Sequence, residues 1–184
     1  MIAQSIDLAP AQEGRGRRWH LAAAMGSLVG AESEADVAAV LLAHARAIAG
    51  ADGIAVARRE EEEVRYIGED SIAPLWARRS FPIDACLSGT AMLQNRTILV
   101  PDILDDLRVS LATYAPTFVR SLLILPVGSV RPRLALGAYW AKAGPIDAQA
   151  VELLSQLAGQ ARLVLERIHG CSTVTRSPRR SAAA

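Results

Sequence analysis

Cys86 is the first residue in this chain whose type could do chemistry. It stands in the run Asp84-Ala85-Cys86-Leu87-Ser88-Gly89. A thiol becomes a useful nucleophile when a cation, an imidazole or a helix N-terminus lowers its pKa. The segment Ser88–Gln94 can form a short helix, which leaves Cys86 just before a positive helix end. The competing reading is a half-buried cysteine packed beside apolar neighbours, a common environment for a free thiol, and it is the one favoured here. His20, His44 and His169 lie in helices far along the chain, and no local signature pairs them with Cys86. His44 falls on an apolar helix face and reads as a packed histidine.

A second cluster comprises Asp102, Asp105, Asp106 and Arg108. Neighbouring carboxylates can hold a hard cation, but cation loops space their oxygens regularly around a turn glycine, and none occurs here. The better expectation is structural: Asp102 caps a turn after Pro101, and Asp106 pairs with Arg108 or caps another turn. Arg120 opens a strand after Tyr114-Ala115-Pro116-Thr117-Phe118-Val119. A guanidinium there can grip a carboxylate or phosphate through paired hydrogen bonds. An internal salt bridge to Asp102 or Asp106 is slightly favoured over that. Aromatic residues are only 4% of the chain, yet Trp76, Phe81, Tyr114, Phe118, Tyr139 and Trp140 gather in or beside this middle region. Flat rings suit a planar ligand and fill a core equally well.

These residues must be positioned by something. Ser33 and Asp36 make a capping-box pattern ahead of Val37, Val40, Leu41, His44 and Ile48, with Gly50 as the stop. Trp19, Leu21, Met25 and Leu28 suggest an earlier helix ending at Gly30. Residues 53–58 and 64–67 alternate like a strand pair around the acidic turn Glu60–Glu63. Thr97–Val100, Ser121–Val127 and Leu134–Ala141 are further strands, the last two joined as a hairpin through Gly128 and Pro132. Asp147 can cap a final helix to Ile168. Ala150, Leu154, Leu157, Ala161, Val164 and Ile168 form a short heptad seam there, beside a second stripe of Val151, Ala158 and Leu165. One stripe can cover the sheet while the other meets a partner. The order predicts an antiparallel sheet with helices on one face.

The bulk numbers fit one domain: 184 residues, 51% hydrophobic, 21% charged, net charge +1. So small a charge gives no field for nucleic acid or anionic lipid. Apolar runs are too short to span a bilayer, and the N-terminus lacks the pattern of a secretion signal. A cytoplasmic location is the expectation. Residues 1–14 and 171–184 read as disordered and 17–170 as the folded domain. Cys86 and Cys171 make neither a disulfide framework nor a zinc site. No phosphate loop, metalloprotease motif or serine-hydrolase elbow occurs.

Cys86-Leu87-Ser88-Gly89, Val100-Pro101-Asp102-Ile103, the Asp106/Arg108 pair, Phe118-Val119-Arg120-Ser121-Leu122 and Gly137-Ala138-Tyr139-Trp140 together resemble a GAF domain, over roughly residues 17–170. The resemblance is to the sensory GAF domains of bacterial histidine kinases and two-component systems. It implies an α+β fold: a central antiparallel sheet, N- and C-terminal helices on one face, and a loop-covered pocket on the other. It also implies a homodimer through the terminal helices. The Asn-Lys…Phe…Asp-Glu signature of cyclic-nucleotide binders is missing, and Cys86 is followed by Leu87 where bilin-binding phytochromes have Cys-His. Asp84-x-Cys86 is similar to a second-cysteine motif of some cyanobacterial photoreceptors. A free methionine sulfoxide reductase shares the fold but relies on several pocket cysteines, and a redox relay needs a resolving thiol.

The expectation is therefore a non-enzymatic sensor. A small molecule of unknown identity, with any cofactor likewise unknown, sits among Trp76, Cys86, Ser88, Asp102, Asp106, Arg108, Tyr114, Arg120 and Trp140. Binding orders the loops 68–81 and 104–117 and shifts the terminal helices. No kinase, cyclase or DNA-binding segment follows, so the signal passes to another protein or the chain is a fragment. The alternatives are a Cys86-dependent redox enzyme or switch resembling that reductase, and a dimerisation module with a filled pocket.

Overall fold

Six strands form one antiparallel sheet in a computed structural model that describes residues 9–174, with side chains over 14–170. The strands are β1 (Gly53–Glu60), β2 (Glu63–Ser71), β3 (Ser80–Pro82), β4 (Ile98–Val100), β5 (Ser121–Val127) and β6 (Leu134–Trp140). Their spatial order is β3-β2-β1-β6-β5-β4. The first and last long strands therefore lie side by side at the centre, with Ala55 opposite Gly137 and Ala57 opposite Ala135. Helices α1 (Ala9–Val29), α2 (Glu34–Ala49) and α5 (Ala148–Val174) pack on one face. Helix α3 (Leu87–Gln94) and the single turn α4 (Leu111–Tyr114) lie on the other.

Local chemistry explains the helix limits. Ser33 Oγ accepts the Asp36 N–H while the Asp36 carboxylate accepts the Ser33 N–H, the expected capping box. Gly50 ends α2 in the left-handed conformation that favours glycine. Asp147 Oδ1 accepts the Gln149 N–H at 3.0 Å at the start of α5, and its carboxylate pairs with Arg17 of α1. The outer helices run beyond the expected domain limits, α1 beginning at Ala9 and α5 reaching Val174. Residues 1–8 and 175–184, parts of the segments expected to be disordered, lie outside the described residues, as does the side chain of Cys171.

Because both faces of the sheet are covered, its central strands are apolar on both sides. Leu123, Leu125, Leu134, Leu136 and Ala138 meet the helices, and Leu122, Ile124, Ala135 and Tyr139 face the other way. That is why these segments read as continuous apolar runs. Two expectations about the helices need correction. Of the residues that suggested α1, Leu21, Met25 and Leu28 pack with Ala24 against the core, whereas Trp19 is 67% exposed. On α5 most of the second stripe is not free for a partner: Ala158 and Leu165 are buried and Val151 is half-buried, because α1 and α2 both press on α5. Among the described residues, no helix is long and apolar enough to cross a membrane.

Candidate functional site

Gly53, Ala55, Ala57, Ala135 and Gly137 form a floor of small residues on the face away from the long helices. The alternate positions Ile54, Val56, Leu134 and Leu136 send bulk to the helix face. A shallow recess follows from this pattern, and aromatic rings occupy it. Trp76 is central, with ring centroids 5.0 Å from Tyr114, 5.2 Å from Tyr139 and 5.5 Å from Tyr66. Phe81 adds an edge-on contact to Tyr66 at 5.7 Å. Edge-to-face contacts are the favourable geometry for such rings. A Cβ on Gly137 would stand 2.1 Å from the Tyr139 hydroxyl, so the ring of Tyr139 lies back over its own strand only because residue 137 has no side chain.

The expected hollow is thus filled from within. The space left between Tyr66, Phe81, Cys86, Arg108 and Tyr114 is about 10 Å³, at the threshold for one water. Apart from the Arg108 guanidinium at its rim, the compartment carries hydroxyls and no formal charge. Tyr66 Oη and Ser88 Oγ are 3.0 Å apart, both buried. Tyr139 is fully buried and its hydroxyl has no hydrogen-bond partner. The Tyr66 hydroxyl is close enough to influence it without completing a bond. Burial pushes the phenols of Tyr66, Tyr114 and Tyr139 well up, and their mutual proximity adds to this.

Cys86 caps α3 as its sequence suggests, Sγ accepting the Gly89 N–H at 3.3 Å. The helix end does not activate it. Burial raises the thiol pKa more than the N–H groups of Gly89 and Ser88 lower it, and Asp84 raises it further. Two segments close over the compartment. Residues 72–79 carry Trp76 and are held by Glu69, whose carboxylate accepts the N–H groups of Leu75, Trp76 and Ala77 at 2.8–3.0 Å. Residues 101–120 form the other cover, and Trp76 Nε1 donates to the Thr113 carbonyl across the two at 3.3 Å.

The charged residues expected in the site build this second cover. Asp102 accepts the Leu104 N–H and pairs with Arg120 at 3.0 Å. Asp106 accepts both the N–H and the guanidinium of Arg108, which also donates to the Leu99 carbonyl. The structure brings together Trp76, Cys86, Ser88 and Tyr114, with Arg108 at the rim. It leaves Asp102, Asp106 and Arg120 holding the loop. Trp140 is a correction: it faces the long helices and donates from Nε1 to the Gly50 carbonyl at 3.1 Å, because adjacent strand residues point to opposite faces. Glu69, Tyr66, Tyr139 and Gly137 were not among the expected site residues. The signal for the last was the run of small residues at every second position in two strands. Among the described residues, no group of three or more His, Cys, Asp or Glu could hold a metal ion.

Residues 31–166 match the family model described as GAF domain. No curated protein sequence matches the chain. Solved structures do. The GAF domain of an Acinetobacter phosphoenolpyruvate-protein phosphotransferase has a TM-score of 0.68 at 13% identity, covering 85% of this chain and 97% of that one. A free methionine-R-sulfoxide reductase from Neisseria meningitidis, solved in complex with its substrate, has a TM-score of 0.69 at 16% identity, covering 93% and 97%. The GAF-B domain of DevS from Mycobacterium smegmatis has a TM-score of 0.63 at 20% identity, covering 77% and 99%. At such identities the likeness is one of fold.

Proposed function

The chain belongs to the GAF domain family, and from that premise we propose that it is a non-catalytic sensory module whose ligand compartment is closed in this structure. The observation that carries the reading is the Tyr139 hydroxyl: fully buried, unpartnered, and set over a floor of small residues beneath two loops. A buried polar group without a partner costs free energy. A ligand that supplies the partner recovers it, which gives binding a reason to compete with the closed state. Access runs past the rim at Ala85, Cys86, Ser110 and Thr113. Residues 104–117 move, and the shift reaches β5 and β6 and then the helices packed behind them. A signal requires that the ligand favour one arrangement over the other. The receiving surface in this reading is the outward side of α1 and α5, where Trp19, Val29 and Leu163 are exposed, meeting a second copy or a cytoplasmic signalling partner.

Thermal-shift screening of small molecules tests this. A ligand raises the melting temperature by mass action, and Ala85→Trp, which plugs the rim at an exposed position, cancels the rise. A shift indifferent to Ala85→Trp removes the site.

The small enclosed volume favours a second reading, a dimerisation module whose interior is simply filled. It expects no compound to shift the melting temperature and an oligomer that forms regardless. The thiol-enzyme reading has less support. Its nucleophile is raised rather than lowered in pKa, and no cation or imidazole is among the causes acting on it.

A further inference from the structure

The compartment differs from its own cover in one respect. The charged side chains that build the cover are largely committed to one another, although Arg120 Nε is buried without a partner, Asp84 acts on Cys86 and Arg79 lies over the Phe81 ring. Asp102 and Arg120 hold each other, as do Asp106 and Arg108, and Glu69 is engaged by three backbone N–H groups. Inside are an indole, three phenols, one serine hydroxyl and one thiol. A charged ligand entering this space would lose its hydration and find no counter-charge in the interior to offset that loss. A flat uncharged ligand would instead find edge-to-face rings and a floor without side-chain bulk.

We propose that the compartment selects an uncharged planar ligand that carries a hydrogen-bond acceptor for the Tyr139 hydroxyl, displacing the ring contacts that now fill the recess over Ala55, Ala57, Ala135 and Gly137. Every ionisable group inside is held toward its neutral form by burial, in keeping with such a ligand. The inference rests on the compartment being a ligand site at all, and it replaces the expectation that Arg120 grips an anion. At the rim an anion could compete for Arg108, which would first have to leave Asp106, or for Arg79, whose guanidinium lies 5.3 Å over the Phe81 ring.

The test uses three ring probes of one size and different charge: benzamide, benzoate and benzamidinium, titrated into the full chain at neutral pH by ligand-observed NMR. Benzamide is expected to bind, with the two ions at least about 30-fold weaker, given the cost of burying an unpaired charge. Tyr139→Phe is expected to weaken benzamide about tenfold, the loss of one buried hydrogen bond, while raising the melting temperature by removing an unsatisfied hydroxyl. A merely structural tyrosine would not move those two readouts in opposite senses. Benzoate or benzamidinium binding as tightly as benzamide, and blocked by Ala85→Trp, overturns the charge assignment and leaves the ligand site standing. Selective benzamide binding that Tyr139→Phe leaves unchanged overturns the role of the hydroxyl. No binding by any probe, or binding that Ala85→Trp does not block, overturns both the assignment and the site.

Discussion

The two faces of the sheet are made by the same strands and differ in kind. Toward α1, α2 and α5 the strands present Ile54, Val56, Leu123, Leu125, Leu134 and Leu136. The strand side chains on this face are aliphatic apart from Trp140, whose Nε1 is satisfied by the Gly50 carbonyl. Toward the covering loops they present Ala55, Ala57, Ala135, Gly137 and a ring of tyrosines around Trp76. This face has hydroxyls, one of them unpartnered. A period of two thus separates a surface selected for packing from one that retains unspent hydrogen-bonding capacity. Stability is expected to come chiefly from the first face, and in the proposed reading recognition falls on the second.

Substitutions should feel that division. Leu136→Ala, on the helix face and fully buried, is expected to lower stability by about 2–5 kcal/mol in denaturant unfolding. A loss under 1 kcal/mol would mean that the aliphatic face is not the main source of stability. Glu69→Ala removes one carboxylate from three N–H groups on the other side. The expected cost is about 2 kcal/mol, since hydrogen bonds to a charged group are the strong ones. Its amide-exchange signature is local: Leu75, Trp76 and Ala77 lose protection while Leu136 keeps it. Global loss of protection would erase the distinction between cover and core.

Much of this was legible in the sequence, for reasons that can be named. The Ser33/Asp36 box and Gly50 are local chemistry, so the limits of α2 could be read directly. Residues 121–127 and 134–140 are apolar on both faces and form a tight antiparallel pair, so their runs stood out. An internal ion pair of Arg120 with Asp102 or Asp106 was expected, and it is made to Asp102. What failed was orientation. Trp140 was expected in the site and Tyr139 was not, but neighbours in a strand part company, and it is Tyr139 that faces the covering loops while Trp140 turns to the Gly50 carbonyl. Glu69 left no local mark, because its partners lie six to eight residues on in an irregular loop. The hollow was misjudged because a floor of small residues looks the same whether a ligand or the protein's own rings lie above it.

Tyr139→Phe sharpens the comparison from the other direction. On the helix face, removal of an atom loses packing. Here the hydroxyl has no partner, so its removal is expected to raise stability by about 1 kcal/mol, read as a higher denaturant midpoint with an unchanged slope. A drop in stability would mean that the hydroxyl is satisfied in solution.

The smallest effect concerns pH and the cover alone. Asp102 is held below the ordinary carboxylate value of 3.8 first by the Leu104 N–H and then by Arg120; Asp106 is held below it chiefly by Arg108. A carboxylate whose folded pKa lies below its unfolded one stabilises the folded state fully above the unfolded value, and that contribution fades as pH falls through the folded one. Both groups act on residues 101–120 and neither touches the aliphatic face. Acidification from pH 6 to below about 4 should therefore unfasten the cover while the sheet persists. Amide exchange, corrected for its intrinsic pH dependence, should show residues 103–109 losing protection before Leu136. Asp106→Asn should loosen the segment already at pH 6 and flatten the acid response. Simultaneous loss on both faces would mean that the cover and the packed core are one cooperative unit, and a ligand compartment that opens independently of the fold would then have no hinge to use.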